Sequence, residues 1–149
     1  MKLTTHLSSG VLTSLFLAPT IVDGILIAAG TIVPDIDHKG SAIGKSVPFI
    51  STILEHRGFT HSLIFAFFMA VINPYFGFGV LLHIFLDMMT NKGVKLFYPY
   101  DRSIGLPFAK HVVTGGKFED LLLTVIMLGI AVKFSLTMYF LTNVMVCYF

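Results

Sequence analysis

Charge is what this sequence has least of. Only 12% of its 149 residues are Asp, Glu, Lys or Arg, about half the share expected of a soluble domain. Apolar residues make up 55% and the mean hydropathy is +0.85. The deficit runs the whole length of the chain, so one buried helix does not account for it. Strict apolar–polar alternation is also missing, which argues against a membrane β-barrel. What remains is an all-α, helical integral membrane protein, a single membrane-embedded domain over residues 1–149. Tryptophan is absent while Phe occurs 15 times, so an interfacial belt would have to use tyrosine. The single cysteine, Cys147, excludes an intrachain disulfide and a thiolate metal site. A net charge of +2 is too weak for nucleic-acid binding, and none is expected. The apolar run after Lys2 is broken by His6, Ser8 and Ser9, and Pro19 follows Ala18. A cleaved signal peptide is therefore not expected.

The breakers divide the chain into two short helical hairpins and a C-terminal transmembrane helix. Residues 3–18 read as a helix ended by Pro19-Thr20, and residues 21–33 as a second ended by Pro34. A polar interval covers 35–61 and holds a short interfacial helix over 48–54. Thr60 is the expected N-cap of a third helix running to Ile72. Asn73-Pro74 forms a turn, and residues 76–90 form a fourth helix, loosened by Gly77 and Gly79. A second polar interval, 91–117, contains a strand or extended lid over 94–98. Residues 118 to about 146 form the longest apolar run and the clearest span. At about 1.5 Å per residue, a 16-residue helix covers roughly 24 Å, short of the ~30 Å hydrocarbon core. Small residues on the first two helices (Ser9, Gly10, Ala28, Gly30) would permit close approach.

If each hairpin returns to its starting side, residue 2 and the intervals 35–61 and 91–117 share one face. That face holds nine of the ten basic residues; Lys133 is the tenth. The positive-inside rule puts it in the cytoplasm of a bacterial inner membrane, with a multi-pass chain.

The same face gathers the ligand-type residues. His6 lies near the start of the first helix, Asp35 and Asp37 just past the second, and His56 and His61 before the third. His83 and Asp87 are spaced i, i+4 near the end of the fourth, so both point to one side. Thr90 continues that stripe. In an extended segment Asp35 and Asp37 would point the same way. The spacing of five between His56 and His61, with Gly58 between them, implies a bend. Taken singly, each feature has a plain structural reading: Asp–His glue between helices, acids in a turn, a polar helix start. Together, imidazole and carboxylate groups at membrane depth suit zinc, with manganese the alternative, and a set of six suits one or two ions. The expected metal residues are His6, Asp35, His56, His61, His83 and Asp87. Arg57 is the expected phosphate holder, and Asp37 the residue that orients the attacking water or acts as general base. His38 and His111, beside Lys39 and Lys110, read as surface-loop residues.

The blocks Pro34-Asp35-Ile36-Asp37-His38, His56-Arg57-Gly58-x-Thr60-His61-Ser62 and His83-x-x-x-Asp87, with Gly93-Val94 before Pro99, resemble the YdjM-type family. That family is described as inner-membrane metal-dependent hydrolases and as LexA-binding. The resemblance covers roughly residues 1–107, the site core, and leaves the C-terminal helix 118–147 outside it. More distantly, the order of ligands is similar to zinc-dependent bacterial phospholipases C. That likeness implies one ion shared by His83, Asp87, Asp35 and either His56 or His61, and a second held by His6 and Asp87. The chain lacks a second His-x-x-x-Glu pair for a third ion, and its Met1 is not a residue suited to chelation through the amino group.

The reading that follows is a membrane-bound metal-dependent hydrolase of the phosphodiesterase or phospholipase type. Its substrate would be a phosphoester or other ester of a lipid-like molecule, cleaved at the cytoplasmic surface by a metal-activated water. One rival is a non-enzymatic, metal-stabilised regulator that docks a cytoplasmic protein on residues 92–117 through Tyr98, Tyr100, Arg102 and Lys110. The other is a transporter with His and Asp on the ion path, which would require a homo-oligomer.

Overall fold

A computed structural model describes residues 1–147, with the side chains of Lys110, His111 and residues 142–147 outside the description. The readings placed on His111, Lys110 and Cys147 fall among those undescribed side chains. The described residues form seven α-helices and no strand: α1 (Leu3–Leu17), α2 (Ile21–Gly30), α3 (Ala42–Ser46), α4 (Pro48–Ile53), α5 (Leu63–Ile72), α6 (Pro74–Met88) and α7 (Lys117–Cys147). The fold is all-α, as expected, with two hairpins, α1–α2 and α5–α6.

Caps and prolines set the hairpins. The Thr20 hydroxyl accepts from Asp23 N at 3.2 Å and donates to the Asp23 carboxylate at 2.6 Å, starting α2. Asn73 alone separates α5 from α6; its side chain accepts from Tyr75 N and Phe76 N, and Pro74 opens the helix. The α6 helix is unbroken from Pro74, so Gly77 and Gly79 do not loosen it. They are close-approach positions instead. A Cβ on Gly79 would sit 2.9 Å from the Gly30 Cα of α2, and one on Gly77 would strike Ala70 of α5. On the other side of α2, a Cβ on Gly10 would lie 3.0 Å from the Ala28 Cα. The helices therefore lie in the spatial order α5, α6, α2, α1, α7, with α2 against α6 at the centre.

Three expectations from the sequence shift. Helix α2 stops at Gly30 rather than Val33, and the chain winds through a 3₁₀ turn at Val33–Asp37. Pro34 has no N–H to continue an α-helix and disfavours helical geometry before it. Thr60 does not cap α5; Ser62 does, while Thr60 sits in a 3₁₀ turn (Phe59–His61) with its hydroxyl turned inward. The expected strand or lid over 94–98 is reduced to one antiparallel bridge between Val94 and Ile104. The segment is tied down by Lys95 N donating to the Arg57 carbonyl and Leu63 N donating to the Leu96 carbonyl.

Length separates α7 from the rest. Its 31 residues reach about 46 Å, against about 22 Å for the 15-residue α1 and α6 and about 15 Å for the 10-residue α2 and α5. Among the described residues only α7, over Lys117–Leu141, is long and apolar enough to cross a membrane. The hairpins carry large apolar side chains on their outer faces, among them Ile21, Phe67, Val71 and Ile72. The start of α7 is fastened to α1. Buried Glu119 accepts from Thr5 Oγ1 at 2.8 Å and from Lys2 N, and Lys2 Nζ pairs with Asp120 at 2.9 Å.

Candidate metal centre

All eight site residues expected from the sequence lie at the loop end of the hairpins. His6, His61 and His83 are fully buried, and Asp35, Asp37 and Asp87 nearly so. Two imidazoles define the centre. His83 Nδ1 donates to the Thr31 carbonyl at 2.7 Å. His61 Nδ1 donates to Asp37 Oδ2 at 3.1 Å. Both partners only accept, so each ring carries its proton on Nδ1. In the neutral rings both Nε2 atoms are then lone pairs, yet they face each other at 3.0 Å. Two lone pairs at that distance repel unless a proton or a cation lies between them.

Carboxylates close around the same point. Asp35 Oδ1 is 3.8 Å from His83 Nε2 and 4.0 Å from His61 Nε2, and Asp87 Oδ2 is 3.6 Å from His61 Nε2. Four donors in a tetrahedron about 2.05 Å from one zinc ion stand roughly 3.3 Å from one another. The observed separations bracket that edge. The donor set therefore fits a divalent cation: two facing imidazole lone pairs with the Asp35 carboxylate beside them.

Beside this group, His6 stacks on His83 with ring centroids 3.8 Å apart, and its Nε2 is 3.4 Å from Asp87 Oδ1. Both His6 nitrogens are buried without a hydrogen-bond partner, a cost of about 1–3 kcal/mol for each orphaned group, which an ion bound at Nε2 would remove for that nitrogen. His6, His83 and Asp87 thus form a second ligand-type group sharing Asp87 and His83 with the first. Asp87 already meets two cations: the Met1 amino group on Oδ1 and Arg57 Nη2, 3.1 Å from Oδ2. These compensate Asp87 but leave Asp35 and the three histidine Nε2 atoms unmatched. The amino group of Met1, not counted among the site groups from the sequence, is therefore inside the site.

A third group, Asp37 with His56 and His61, is a hydrogen-bond cluster. Asp37 accepts from His56 Nδ1 at 2.8 Å, Arg57 N at 3.1 Å, Thr60 Oγ1 at 2.5 Å and His61 Nδ1 at 3.1 Å. Three of these fall on Oδ2, while Oδ1 holds the single bond from His56. Burial pushes the Asp37 carboxyl up, but hydrogen bonds from His56, His61 and Thr60 outweigh it and hold the group well below the usual carboxylate range. The role expected of Asp37 in orienting water would fall to Oδ1, the less engaged oxygen. Asp37 stands behind His61 and fixes that ring. The 3₁₀ turn explains this: Asp35 and Asp37 do not point the same way, and they address opposite nitrogens of His61. His56 and His61 take different places. His61 shares the centre with Asp35 and His83, while the half-exposed His56 stands at the rim.

Arg57 bends the chain here with φ of 65°, in the left-handed region that non-glycine residues rarely adopt. The conformation is over-determined. Arg57 N donates to Asp37, its carbonyl accepts from Lys95 N, and Nη1 donates to Thr90 Oγ1 and the Gly93 carbonyl at 2.9 Å each. The guanidinium faces Asp87 rather than standing free for a substrate, as the sequence reading had it; only Nε is buried without a partner.

A cavity of about 370 Å³ opens over the centre, lined by Asp35, His38, His56, Arg57, Asp87 and Lys92 among others. His38, read from the sequence as a loop residue, belongs to its wall, with its ring centroid 4.4 Å from that of His56. Burial, His56 and Lys92 together hold its imidazole below the usual histidine value, although Asp35 and Asp37 oppose them. No local signal marked His38 beyond its place after Pro-Asp-Ile-Asp.

Comparison with known proteins adds the following. A family model described as YdjM inner membrane protein matches residues 1–149. The Bacillus subtilis protein YvsG is 34% identical over 119 residues, 68% of this chain and 73% of its own length. Inner membrane protein YdjM of Escherichia coli and its Shigella flexneri counterpart are each 37% identical over 95 residues. Those matches take in 51% of this chain and 48% of each relative, about half the length of the two YdjM proteins. No solved structure matches the chain.

Proposed function

The chain belongs to the YdjM inner membrane protein family, and from that premise we propose that it is a divalent-metal-dependent hydrolase of the bacterial inner membrane. Its substrate class is a phosphoester or other ester of a lipid-like molecule, cleaved at the cytoplasmic surface. The observation that carries this is the pair of buried Nε2 atoms facing each other at 3.0 Å between Asp35 and Asp87. His61, His83, Asp35 and Asp87 would hold one ion, and His6 with Asp87 a second. A cation held there supplies activation of water and neutralisation of charge on an ester oxygen.

The protein's own groups prepare the site. The Thr31 carbonyl and the Asp37 carboxylate fix the His83 and His61 rings with Nε2 inward, an outer layer of the kind that tunes metal sites. Arg57 holds Asp87 in place from the side. The cytoplasmic assignment rests on the nine basic residues at this end; α7 is the one helix among the described residues long and apolar enough to cross the membrane, and the two short hairpins would enter it from the same side. The lipid-like substrate rests on the apolar outer faces of the hairpins, which in a bilayer would set the site at their loop end near the headgroups.

A second reading has one observation in its favour. Asp87 is already paired with Arg57 and the Met1 amine, which suits a structural site in a scaffold that docks a partner on residues 92–117. Purified wild type and Asp87→Ala in detergent separate the two, through metal content and hydrolysis of a chromogenic phosphodiester. The hydrolase reading expects both to fall together in the variant. Metal in the wild type without any hydrolysis would favour the scaffold, and unchanged metal and activity in Asp87→Ala would remove the hydrolase reading.

A further inference from the structure

The cavity over the centre has an acidic floor and a cationic wall. The floor is Asp35 and Asp87. The wall holds Arg57, Lys92, His38 and His56, with Met1 and Lys2 also lining it. The lysines at this end are not equivalent. Lys2 is engaged by Asp120 at 2.9 Å, and Lys95 by Glu55 and Asp101 at 2.6 Å each. Lys92 lines the cavity and has no carboxylate partner among the described residues. Arg57 is about nine-tenths buried, lines the same cavity, and keeps its Nε–H without an acceptor.

An unpaired ammonium beside the Arg57, His38 and His56 side chains around one space calls for a ligand that accepts several hydrogen bonds and carries negative charge. A carboxylate offers two oxygens; a phosphate offers more, arranged in three dimensions. The volume of about 370 Å³ falls within the range of small-molecule sites and exceeds what a bare anion needs. Leu3 and Ala42 add apolar lining.

We propose that this cavity seats the phosphate of a lipid phosphoester, with Lys92 as its cationic contact. This rests on the hydrolase reading for what happens to the ligand, but not for its binding. It also moves the job of meeting the phosphate charge from Arg57, which Asp87 occupies, to Lys92, a residue the sequence did not single out.

The test uses the full chain in phosphatidylcholine nanodiscs, with metal content measured on every sample. Binding of radiolabelled inorganic phosphate, and its competition by phosphatidate added to the bilayer, is compared for wild type, Lys92→Ala, Lys92→Arg and Lys39→Ala. Lys39 is a lysine in the same interval that does not line the cavity. Lys92→Ala is expected to weaken phosphate binding about tenfold, the worth of one charge-assisted hydrogen bond. Lys92→Arg and Lys39→Ala should stay near wild type, and phosphatidate should displace the label. Equal binding in Lys92→Ala and wild type overturns the proposal, as does an equal loss in Lys39→Ala. Phosphate binding that phosphatidate does not displace overturns the lipid assignment. Failure of the metal reading shows separately, as metal-free wild type that still depends on Lys92.

Discussion

Replacing Asp37 by Asn tests the inner logic of the centre with little change of shape. The Asp37 carboxylate accepts from four donors, three of them on Oδ2: Arg57 N, Thr60 Oγ1 and His61 Nδ1. If the Asn oxygen keeps that position, the three bonds survive but lose their ionic character. A hydrogen bond to a charged group contributes about 1 kcal/mol more than a neutral one, so the loss is roughly 2–3 kcal/mol of stability. The amide nitrogen then faces His56 Nδ1, and the half-exposed His56 ring can answer by exchanging its proton to Nε2. The larger consequence falls on His61, whose Nε2 becomes less basic and less firmly aimed. Loss of such an outer partner typically weakens metal binding 10- to 100-fold. The assay is competition for zinc against a chromophoric chelator in detergent, with thermal unfolding measured on the same sample. His61→Ala, which removes the ligand itself, is expected to abolish the site. Folded Asp37→Asn protein that binds zinc as tightly as wild type would refute the positioning role. Loss as complete as in His61→Ala would make Asp37 a direct ligand and refute it from the other side.

Further outcomes follow from packing, backbone and acid. Gly79→Ala places a Cβ 2.9 Å from the Gly30 Cα and should lower stability by about 1–3 kcal/mol, with Gly30→Ala similar, read by unfolding in detergent. Arg57→Ala and Arg57→Gly both lose the pair with Asp87, but only Gly is at ease at φ of 65°. The Gly variant should therefore be the more stable of the two by about 1 kcal/mol, and equal stabilities would argue against a left-handed Arg57. Because Asp37 binds its proton more weakly folded than unfolded, its contribution is complete above the ordinary carboxylate range and is lost as pH falls through and below it. The thermal-unfolding midpoint of Asp37→Asn, measured on metal-free protein, should fall less steeply with decreasing pH than that of wild type.

Much of this was legible in the sequence, for local reasons. Pro19-Thr20 and Asn73-Pro74 mark hairpin tips because proline and a capping side chain act over three or four residues. The i, i+4 spacing put His83 and Asp87 on one face, and the hairpins brought His6, Asp35 and His61 to the same end. What stayed hidden depends on how distant segments meet. Thr60 looks like a helix cap until the Asp37 carboxylate is known to lie against it. Asp35 and Asp37 look like a matched pair until Pro34 winds them into a 3₁₀ turn that sends them to opposite sides of His61. His38 is the exposed loop histidine it looks like, but only the structure shows its ring beside that of His56 on the cavity wall. The Thr31 carbonyl, which fixes the His83 tautomer, is a backbone atom and leaves no trace in residue type.

The central claim is that a cation belongs between the facing Nε2 atoms of His61 and His83. X-ray absorption at the metal edge, on full-length protein purified without chelators, addresses it most directly. The expected spectrum shows a divalent metal in a nitrogen and oxygen shell with imidazole scattering, lost in His83→Ala. Protein that is folded and metal-free, or a metal without imidazole in its shell, would contradict the account and leave the two histidines sharing a proton.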